Sequence, residues 1–228
     1  MTWLGHATFL LSTPGGVEIV LDPWLVSNPA CPPDRQTIDR ADLILVTHGH
    51  PDHIGDLLPV ARGTGATVVG IVELCHWLET KGLTHLAPMN KGGTVELHGV
   101  RVTMVHADHS GGWADGDPSI GLGAPVGYVL GLENGLTVYI AGDTALFGDM
   151  RLIGEIYAPD IALLPIGDRY TMGPREAARA CQWLGVRQVV PMHYGTFPEL
   201  TGTPSELRAL VEPAGVTVLE LTPGETAS

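Results

Sequence analysis

The sequence predicts an α/β fold built from two similar β-rich halves, stacked face to face with helices outside. Wholly apolar runs such as 43–46 are typical of strands buried on both faces, and helical patterns separate several of them. The halves also repeat each other, because DLILVTHGH at 42–50 corresponds to DIALLPIGD at 160–168 and a hairpin ending in aspartate precedes each. The chain is 44% hydrophobic and only 16% charged, which suits sheets that are covered on their outer faces.

The first half begins with a predicted hairpin, with strands at 2–11 and 17–21 around the turn at 13–16. Its second strand ends at Asp22, a candidate hydrogen-bond acceptor for the ring of a metal-ligating histidine. An aspartate before proline is also an ordinary turn residue, so both interpretations stay open. His6 falls within the first predicted strand, where packing alone explains a histidine equally well. The Pro- and Asn-rich stretch 25–40 is predicted to be a loop.

The most informative stretch follows the buried strand at 42–47. His48, His50, Asp52 and His53 lie within six residues directly beyond the C-terminal end of that strand. Imidazole is the commonest ligand of zinc and similar ions, and carboxylate is its natural companion. The intervening glycine and proline bend the backbone, so His48 and His50 can converge on one ion while Asp52 and His53 point toward a second. The stretch therefore predicts a site for two metal ions.

This H-x-H-x-D-H string after an apolar strand resembles the signature of the metallo-β-lactamase superfamily. Other matching segments are LGHA at 4–7, HADHS at 106–110, AGDT at 141–144, LPIGDRYTMGP at 164–174 and PMHY at 191–194. Together they resemble the small bacterial metal-dependent hydrolase family (UPF0173-like), whose relatives include the ascorbate-6-phosphate lactonase and N-acyl-phosphatidylethanolamine phospholipase D groups. The resemblance runs from Trp3 to about Pro198. It implies a four-layer αββα sandwich, which the pattern of strands and helices does not by itself distinguish from other α/β layouts. It also implies that residues 1–228 form a single metallo-β-lactamase-like domain.

The rest of the first half leads to the third ligand of the first ion. Helices are predicted at 53–61 and 73–80, and strands at 66–72, 94–97 and 100–107. The last strand is followed by two histidines, His106 and His109. The family places its ligand directly before a small polar residue and glycine, which implies His109, with His106 as the alternative or a neighbour. The glycine-rich stretch 110–125 is predicted to form a loop over the mouth of the site.

The second half supplies two further candidate ligands. A predicted hairpin around Asn134-Gly135 ends at Asp143, the natural bridging carboxylate because its oxygens can bind both cations. An N-terminal helix cap is the alternative role for this aspartate. A helix at 174–184 and a strand at 187–191 follow, and the strand delivers His193 at its C-terminal end. A helix at 204–211 and a strand at 216–221 complete the prediction.

Several residues are candidates for roles around the metals rather than on them. The resemblance implies that His6 lies near the ions, either beside the ligands or facing the substrate. Asp168 aligns with His50 in the internal repeat and is expected near the same cleft. Arg169, Tyr170 and Tyr194 follow motif positions at the predicted rim and could hold a polar or anionic substrate. Ordinary packing at the rim is the alternative.

These residues predict a hydrolase with two metal ions. His48, His50 and His109 are expected on the first ion, Asp52, His53 and His193 on the second, with Asp143 between them. Each ion then keeps an open position, as catalytic sites do. A metal-bound hydroxide, formed because the pKa of water falls from 15.7 toward about 7, could attack a small ester, lactone or phosphodiester, with Asp52 orienting the water or carrying its proton.

Two alternatives stay open at this point. The bond that is cleaved can be carbon–oxygen or phosphorus–oxygen, and nothing in the sequence decides between them. A non-catalytic metal-binding regulatory or scaffold protein is the alternative function. Zinc is the first choice for the two divalent ions, and manganese, iron, cobalt and nickel suit the same histidine and aspartate ligands.

Composition narrows the partners and the compartment. The net charge of −13 argues against nucleic acid, and we expect a small-molecule substrate. No apolar run approaches the ~18 residues of a membrane span, and no charged segment resembles the start of a signal peptide. Three widely spaced cysteines without a C-x-x-C pair indicate thiols in a reducing compartment, hence the cytoplasm. The low charged fraction is compatible with a homo-oligomer.

Overall fold

The computed structural model describes residues 1–112 and 120–227, which form two β-sheets with helices packed against them. The strands are β1 (Thr2–Trp3), β2 (Phe9–Ser12), β3 (Glu18–Leu21), β4 (Leu43–Leu45), β5 (Thr67–Ile71), β6 (Leu86–Met89), β7 (Thr94–Leu97), β8 (Val100–His106), β9 (Val126–Gly131), β10 (Thr137–Ile140), β11 (Ile161–Pro165), β12 (Gln188–Met192) and β13 (Thr217–Val218). The helices are α1 (Pro51–Ile54), α2 (Leu57–Thr64), α3 (Val72–Thr80), α4 (Met150–Tyr157), α5 (Pro174–Leu184) and α6 (Pro204–Val211).

The two sheets have the same internal plan. The first has the order β1-β2-β3-β4-β5-β6 and the second has the order β13-β12-β11-β10-β9-β8-β7. In the first sheet the antiparallel pair β2–β3 is followed by parallel β4 and β5, and in the second the antiparallel pair β9–β10 is followed by parallel β11 and β12. This correspondence confirms the two similar halves that the repeated sequence predicted.

The hydrophobic core lies between the sheets, and a second apolar cluster lies outside one of them. Phe9 and Leu45 of the first sheet and Tyr128 and Leu163 of the second share the main core. The next residue, Leu164, belongs to the outer cluster together with side chains of α4, α5 and α6, because successive strand residues point to opposite faces. Helices α2 and α3 likewise contribute to the core of the first half. The layers match the predicted αββα sandwich.

The predicted first strand at 2–11 is wrong, because the chain turns at residues 4–8. Gly5 and His6 have positive φ angles of 96° and 55°, and the amide of Thr8 donates back to the carbonyl of Gly5 at 3.1 Å. His6 therefore lies in a turn between β1 and β2 rather than within a strand. Histidine only occasionally adopts a positive φ angle, so the sequence carries no local signal that the chain turns at His6.

Other boundaries differ for local reasons. The predicted helix at 53–61 is split into α1 and α2 because Asp56 interrupts it, with its carboxylate accepting from the amides of Leu25 at 2.6 Å and Val26 at 3.1 Å. Strand β6 contains Pro88 and was not predicted, since proline is rare within a strand. Helix α4 was also missed, and its N-cap residue makes no side-chain capping bond. The final strand covers only Thr217–Val218 of the predicted 216–221.

Three further expectations concern a loop, the cysteines and membrane-spanning helices. Part of the loop predicted at 110–125 falls on residues 113–119, which lie outside the described residues. The three cysteines are free and buried, as the sequence predicted for incidental thiols. Among the described residues no helix combines the length and apolar character needed to cross a membrane.

Candidate metal centre

Histidines and aspartates from both sheets converge just beyond the C-terminal ends of their strands. His48 follows β4, His109 follows β8, Asp143 follows β10 and His193 follows β12. Because parallel strands end at the same edge of a sheet, and the two sheets face each other, these ends bring side chains that are distant in sequence into one place. The placement explains why the ligand candidates recur after apolar runs.

The converging side chains form two groups of four residues. Within each group, one ligand atom from each residue lies within 4.8 Å of the ligand atoms of the other three. The first group is His48, His50, His109 and Asp143, and the second group is His6, Asp52, His53 and His193. All seven ligands predicted from the sequence are therefore brought together. The second group also contains His6, which the sequence placed only near the metals.

The structure separates the two histidines that competed for the third position. His109 is in the first group, whereas His106 is exposed and its Nδ1 lies 3.0 Å from the Nζ of Lys91. The ring of His106 packs edge-on against Phe147 rather than against any ligand candidate. The arrangement favours His109, as the family pattern implied.

One carboxylate lies between the two groups. Asp143 Oδ2 is 3.0 Å from His193 Nε2 and 3.4 Å from His53 Nε2, both in the second group. The same oxygen is 3.7 Å from His109 Nε2 and 3.9 Å from His48 Nε2, both in the first group. A single oxygen thus faces ring nitrogens of both groups, as a bridging carboxylate must.

Three buried polar atoms at this point have no hydrogen-bond partner within the described part of the chain: His53 Nε2, His193 Nδ1 and Asp143 Oδ1. A buried polar atom without a partner costs about 1–3 kcal/mol, so clusters of such atoms are expected to have a ligand. Imidazole nitrogen and carboxylate oxygen are the donors that zinc, manganese, iron, cobalt and nickel accept. The chemistry and the unpaired atoms of the two groups therefore fit divalent metal ions.

Asp22 orients one histidine in each group. His53 Nδ1 donates to Asp22 Oδ2 at 2.8 Å, and the hydroxyl of Thr47 donates to the same oxygen at 2.6 Å. Because the Thr47 hydroxyl uses its hydrogen on Asp22, its oxygen is free to accept from His48 Nδ1 at 3.0 Å. Both imidazoles are held through Nδ1, so Nε2 of each is free to face the centre. Asp22 is fully buried and has a left-handed backbone, with φ of 42°.

His50 is oriented by Ser110, the small polar residue that directly follows His109. Its Nε2 lies 3.2 Å from the hydroxyl of Ser110, and its Nδ1 lies 2.9 Å from His48 Nε2. Nδ1 is thus the nitrogen of His50 that faces the first group. The contacts of Thr47 and Ser110 were missed, although each residue is adjacent in sequence to a predicted ligand.

Burial and charge favour a cation at this place. Burial holds the pKa of His48 well below its usual value and also lowers the pKa of His109, which leaves these rings neutral, as ligands must be. Burial alone would raise the pKa of Asp143, but the rings of His193 and His53 hold it well below its usual range. Against the effect of burial, Asp143 and Asp22 raise the pKa of His53, which means that a positive charge is stabilised there. A bound cation can supply that charge.

The predicted rim residues are not members of the two groups. Asp168, Arg169 and Tyr170 are exposed, and the Arg169 guanidinium lies 5.5 Å from the centre of the Tyr170 ring. Tyr194 stacks on Trp3 with 5.1 Å between ring centres. Among the described residues none of these four side chains hydrogen-bonds to a member of either group. Roles for these four residues at the rim of the cleft therefore stay predictions.

Comparison with known proteins supplies an independent finding. Residues 17–194 match the sequence family described as the beta-lactamase superfamily domain. A UPF0173 metal-dependent hydrolase of Koribacter versatilis is 51% identical over 228 residues, covering 100% of this chain and 97% of that protein. Another, of Rubrobacter xylanophilus, is 55% identical over 208 residues, with 90% and 86% covered. The solved structure of Igni18, a metallo hydrolase from Ignicoccus hospitalis, is 39% identical with a TM-score of 0.87 and covers 99% of this chain and 96% of its own.

Proposed function

We propose that this chain, which belongs to the UPF0173 metal-dependent hydrolases of the β-lactamase superfamily, uses two divalent ions to hydrolyse a small ester, lactone or phosphodiester. That the protein is a metal-dependent hydrolase follows from its family. The number of ions and the substrate class are the proposal. The observation that carries it is the position of Asp143 Oδ2, which lies within 4 Å of ring nitrogens from both groups.

The side chains divide naturally between two ions. His48, His50 and His109 would hold the first ion, and Asp52, His53 and His193 would hold the second, with Asp143 shared. The three unpaired buried atoms belong to this shared region, since they are on His53, His193 and Asp143. Zinc is the first choice, and manganese, iron, cobalt or nickel would suit the same donors.

Exposure indicates the side from which the substrate approaches. His48, His53, Asp143 and His193 are buried, whereas the side chain of Asp52 is 29% exposed and that of His109 is 14% exposed. His50 is also only partly buried. We therefore place the scissile bond on the side of Asp52, His50 and His109, with the buried residues serving as the floor of the site.

The reaction needs a nucleophile and a route for its proton. When bound, divalent ions polarise the scissile carbonyl or phosphoryl group and lower the pKa of water toward about 7. Asp52 is the most exposed carboxylate of the site, and despite partial burial the hydrogen bond from His6 and the nearby His53 hold its pKa below the usual range. Ionised Asp52 can orient the attacking water, accept its proton and return it to the leaving oxygen.

Metal content and turnover test the assignment together. Wild-type protein is expected to hold two equivalents of metal by elemental analysis, and Asp143→Asn and His193→Ala are each expected to lower the content toward one equivalent or to abolish hydrolysis. His76→Ala is the matched control, because the His76 side chain is 75% exposed and lies beside Glu79, away from both groups. Unchanged metal content and turnover in both site variants would show that the ligand assignment is wrong.

The substrate class needs a separate experiment. Metal-loaded wild-type protein is to be assayed on matched chromogenic phosphodiester, carboxylic ester, thioester and lactone substrates, with Asp143→Asn as the background. Turnover of one class above that background decides between carbon–oxygen and phosphorus–oxygen cleavage. Metal-loaded protein that is inert on every class would contradict the proposed substrates and strengthen the non-catalytic alternative.

A further inference from the structure

We propose that His6 is a positioning residue that holds Asp52 and His193, and that it is not itself a metal ligand. The inference rests on the proposed two-ion function, because it concerns the residues of the second group. His6 is one of the four members of that group by distance alone, so its role has to be decided from its contacts. Those contacts involve both its backbone and both nitrogens of its ring.

The backbone of His6 holds the backbone of His193 in place. His6 has a left-handed conformation with φ of 55°, and its carbonyl accepts from the amide of His193 at 2.9 Å. The indole of Trp3 donates to the same carbonyl at 3.0 Å. The turn at residues 4–8 is therefore hydrogen-bonded directly to His193, the residue that follows the end of β12.

Both ring nitrogens of His6 are occupied by protein atoms. Nε2 lies 3.1 Å from Asp52 Oδ2, and Nδ1 lies 3.0 Å from the hydroxyl of Thr196. An ionised carboxylate can only accept, so we assign the ring hydrogen of His6 to Nε2, which then donates it to Asp52. In this tautomer Nδ1 accepts from the Thr196 hydroxyl at 3.0 Å, and the other acceptor near that hydroxyl, the carbonyl of Tyr194, is farther away at 3.5 Å. A histidine binds metal through an unprotonated nitrogen, and the one such nitrogen of His6 is directed at Thr196.

Packing holds the ring in this orientation. The His6 ring is fully buried, with its centre 3.9 Å from the centre of the His193 ring. Trp24 and Phe197 contact it edge-on, with centres 5.1 and 5.6 Å away. A ring held on three sides cannot rotate to present another nitrogen without repacking these neighbours.

The consequence concerns the second ion. Because the hydrogen bond from His6 occupies only one acceptor position of Asp52 Oδ2, the carboxylate keeps acceptor positions for the metal and for the attacking water, and the proposed ligand set stays at Asp52, His53 and His193 with shared Asp143. A fourth unshared ligand would tend to close the position that a catalytic ion keeps open. Outer hydrogen bonds of this kind typically change metal affinity by about 10–100-fold.

The matched variants are His6→Gln and His6→Met, which have unbranched side chains of similar size in the same left-handed backbone. Glutamine keeps an N–H donor for Asp52, whereas methionine has none. Metal affinity is to be measured by competition with a chromophoric chelator, and geometry from the visible spectrum of the cobalt-substituted protein. We expect His6→Met to weaken one of the two equivalents by about 10–100-fold and His6→Gln to stay within about threefold of wild type.

Two outcomes would overturn the proposal. Wild-type affinity and spectrum in His6→Met would remove the positioning role, and equal loss in His6→Gln and His6→Met would indicate direct ligation. Thr196→Val, which removes only the donor to Nδ1, is expected to weaken the same equivalent by a smaller factor. This variant leaves the His6 side chain in place if His6→Met does not fold.

A metal-free measurement separates this inference from the proposed function. Nitrogen-15 NMR of histidine-labelled wild-type protein without metal is expected to show the His6 ring protonated at Nε2 and unprotonated at Nδ1, assigned by loss of the signal in His6→Gln. Protonation at Nδ1 would overturn the inference. If wild type bound only one equivalent of metal, the two-ion proposal would fail while this result still decided the role of His6.

Discussion

Replacing Tyr128 by phenylalanine tests how the two sheets are joined behind the metal centre. Tyr128 lies on β9 of the second sheet and is fully buried. Its hydroxyl donates to the carbonyl of Val46 at 2.7 Å and lies 3.2 Å from that of Val69, both in the first sheet's half of the molecule. Val46 lies two residues before His48, so this hydroxyl links the second sheet to the segment that carries the H-x-H-x-D-H string.

The magnitude follows from the group that is left behind. Tyr128→Phe leaves the buried carbonyl of Val46 short of its donor, which costs about 1–3 kcal/mol of the free energy of unfolding. The phenylalanine ring keeps the packing, so no cavity term is added beyond one hydroxyl. In a chain of this length each kcal/mol corresponds to about 2–4 °C in Tm, which predicts a fall of roughly 4–8 °C for a loss near 2 kcal/mol.

Tyr139 provides a matched control on the neighbouring strand β10. It is also fully buried, but its hydroxyl has no hydrogen-bond partner among the described residues. Tyr139→Phe removes a hydroxyl that is buried away from water without a hydrogen bond to replace the one it loses on folding. The substitution is therefore expected to leave the free energy of unfolding unchanged or to raise it by up to about 1 kcal/mol. The two variants make the same chemical change at the same burial, and only Tyr128→Phe is expected to lower the stability.

Urea unfolding of the metal-free proteins, followed by tryptophan fluorescence and circular dichroism, measures both changes without a contribution from bound metal. The slopes with urea must agree among the three proteins for the midpoints to be compared. Equal destabilisation by the two variants, or a larger loss in Tyr139→Phe, would refute the argument that the partner of the hydroxyl decides its contribution.

Two other predictions concern metal removal and the thiols. Chelation is expected to lower Tm by about 10 °C and re-addition of zinc to restore it, since ligand at 1,000 times Kd stabilises a folded protein by about 4.1 kcal/mol; identical melting curves would contradict a bound metal. Burial raises the pKa of the Cys31 and Cys75 thiols to about 11 and that of Cys181 to about 12, so native protein at pH 8 is expected to react slowly with a disulfide reagent. Denatured protein should titrate three thiols, and rapid labelling of the native chain would contradict their burial.

The elements that sequence analysis predicted best are those with local signals. Helix α5 begins and ends as predicted because Gly173 precedes Pro174 and Gly185 follows the last turn with a positive φ of 70°. Helix α6 is likewise bounded by a capping box between Thr203 and Glu206. His48, Asp143 and His193 were also indicated locally, because each comes shortly after an apolar strand, whereas the choice of His109 over His106 came from the family resemblance.

The features that were missed depend on contacts between distant parts of the chain. The turn at His6 is held by the amide of His193, and the ring of His50 is held by Ser110, so neither arrangement has a local pattern. The place of Asp168 stays a prediction, because the correspondence between the halves is shown only for their strands. Strands β4 and β11 correspond, whereas the chain after β11 makes a tight turn in which Asp168 and Arg169 have φ angles of 67° and 32° and both side chains are exposed.

The contacts of Asp22 have a consequence for how the two proposed metal sites would fill. One buried carboxylate holds His53 directly and His48 through Thr47, so one residue sets ligand orientation in both groups. An ion that fixes the orientation of one histidine ring also fixes the Asp22 carboxylate. The second ion then binds to a ring whose orientation is already restricted through Asp22. Binding at the two sites is then expected to be cooperative and reciprocal, with each ion raising the affinity for the other by the same factor. The singly loaded form would then be less populated than two independent sites of the same affinities would make it.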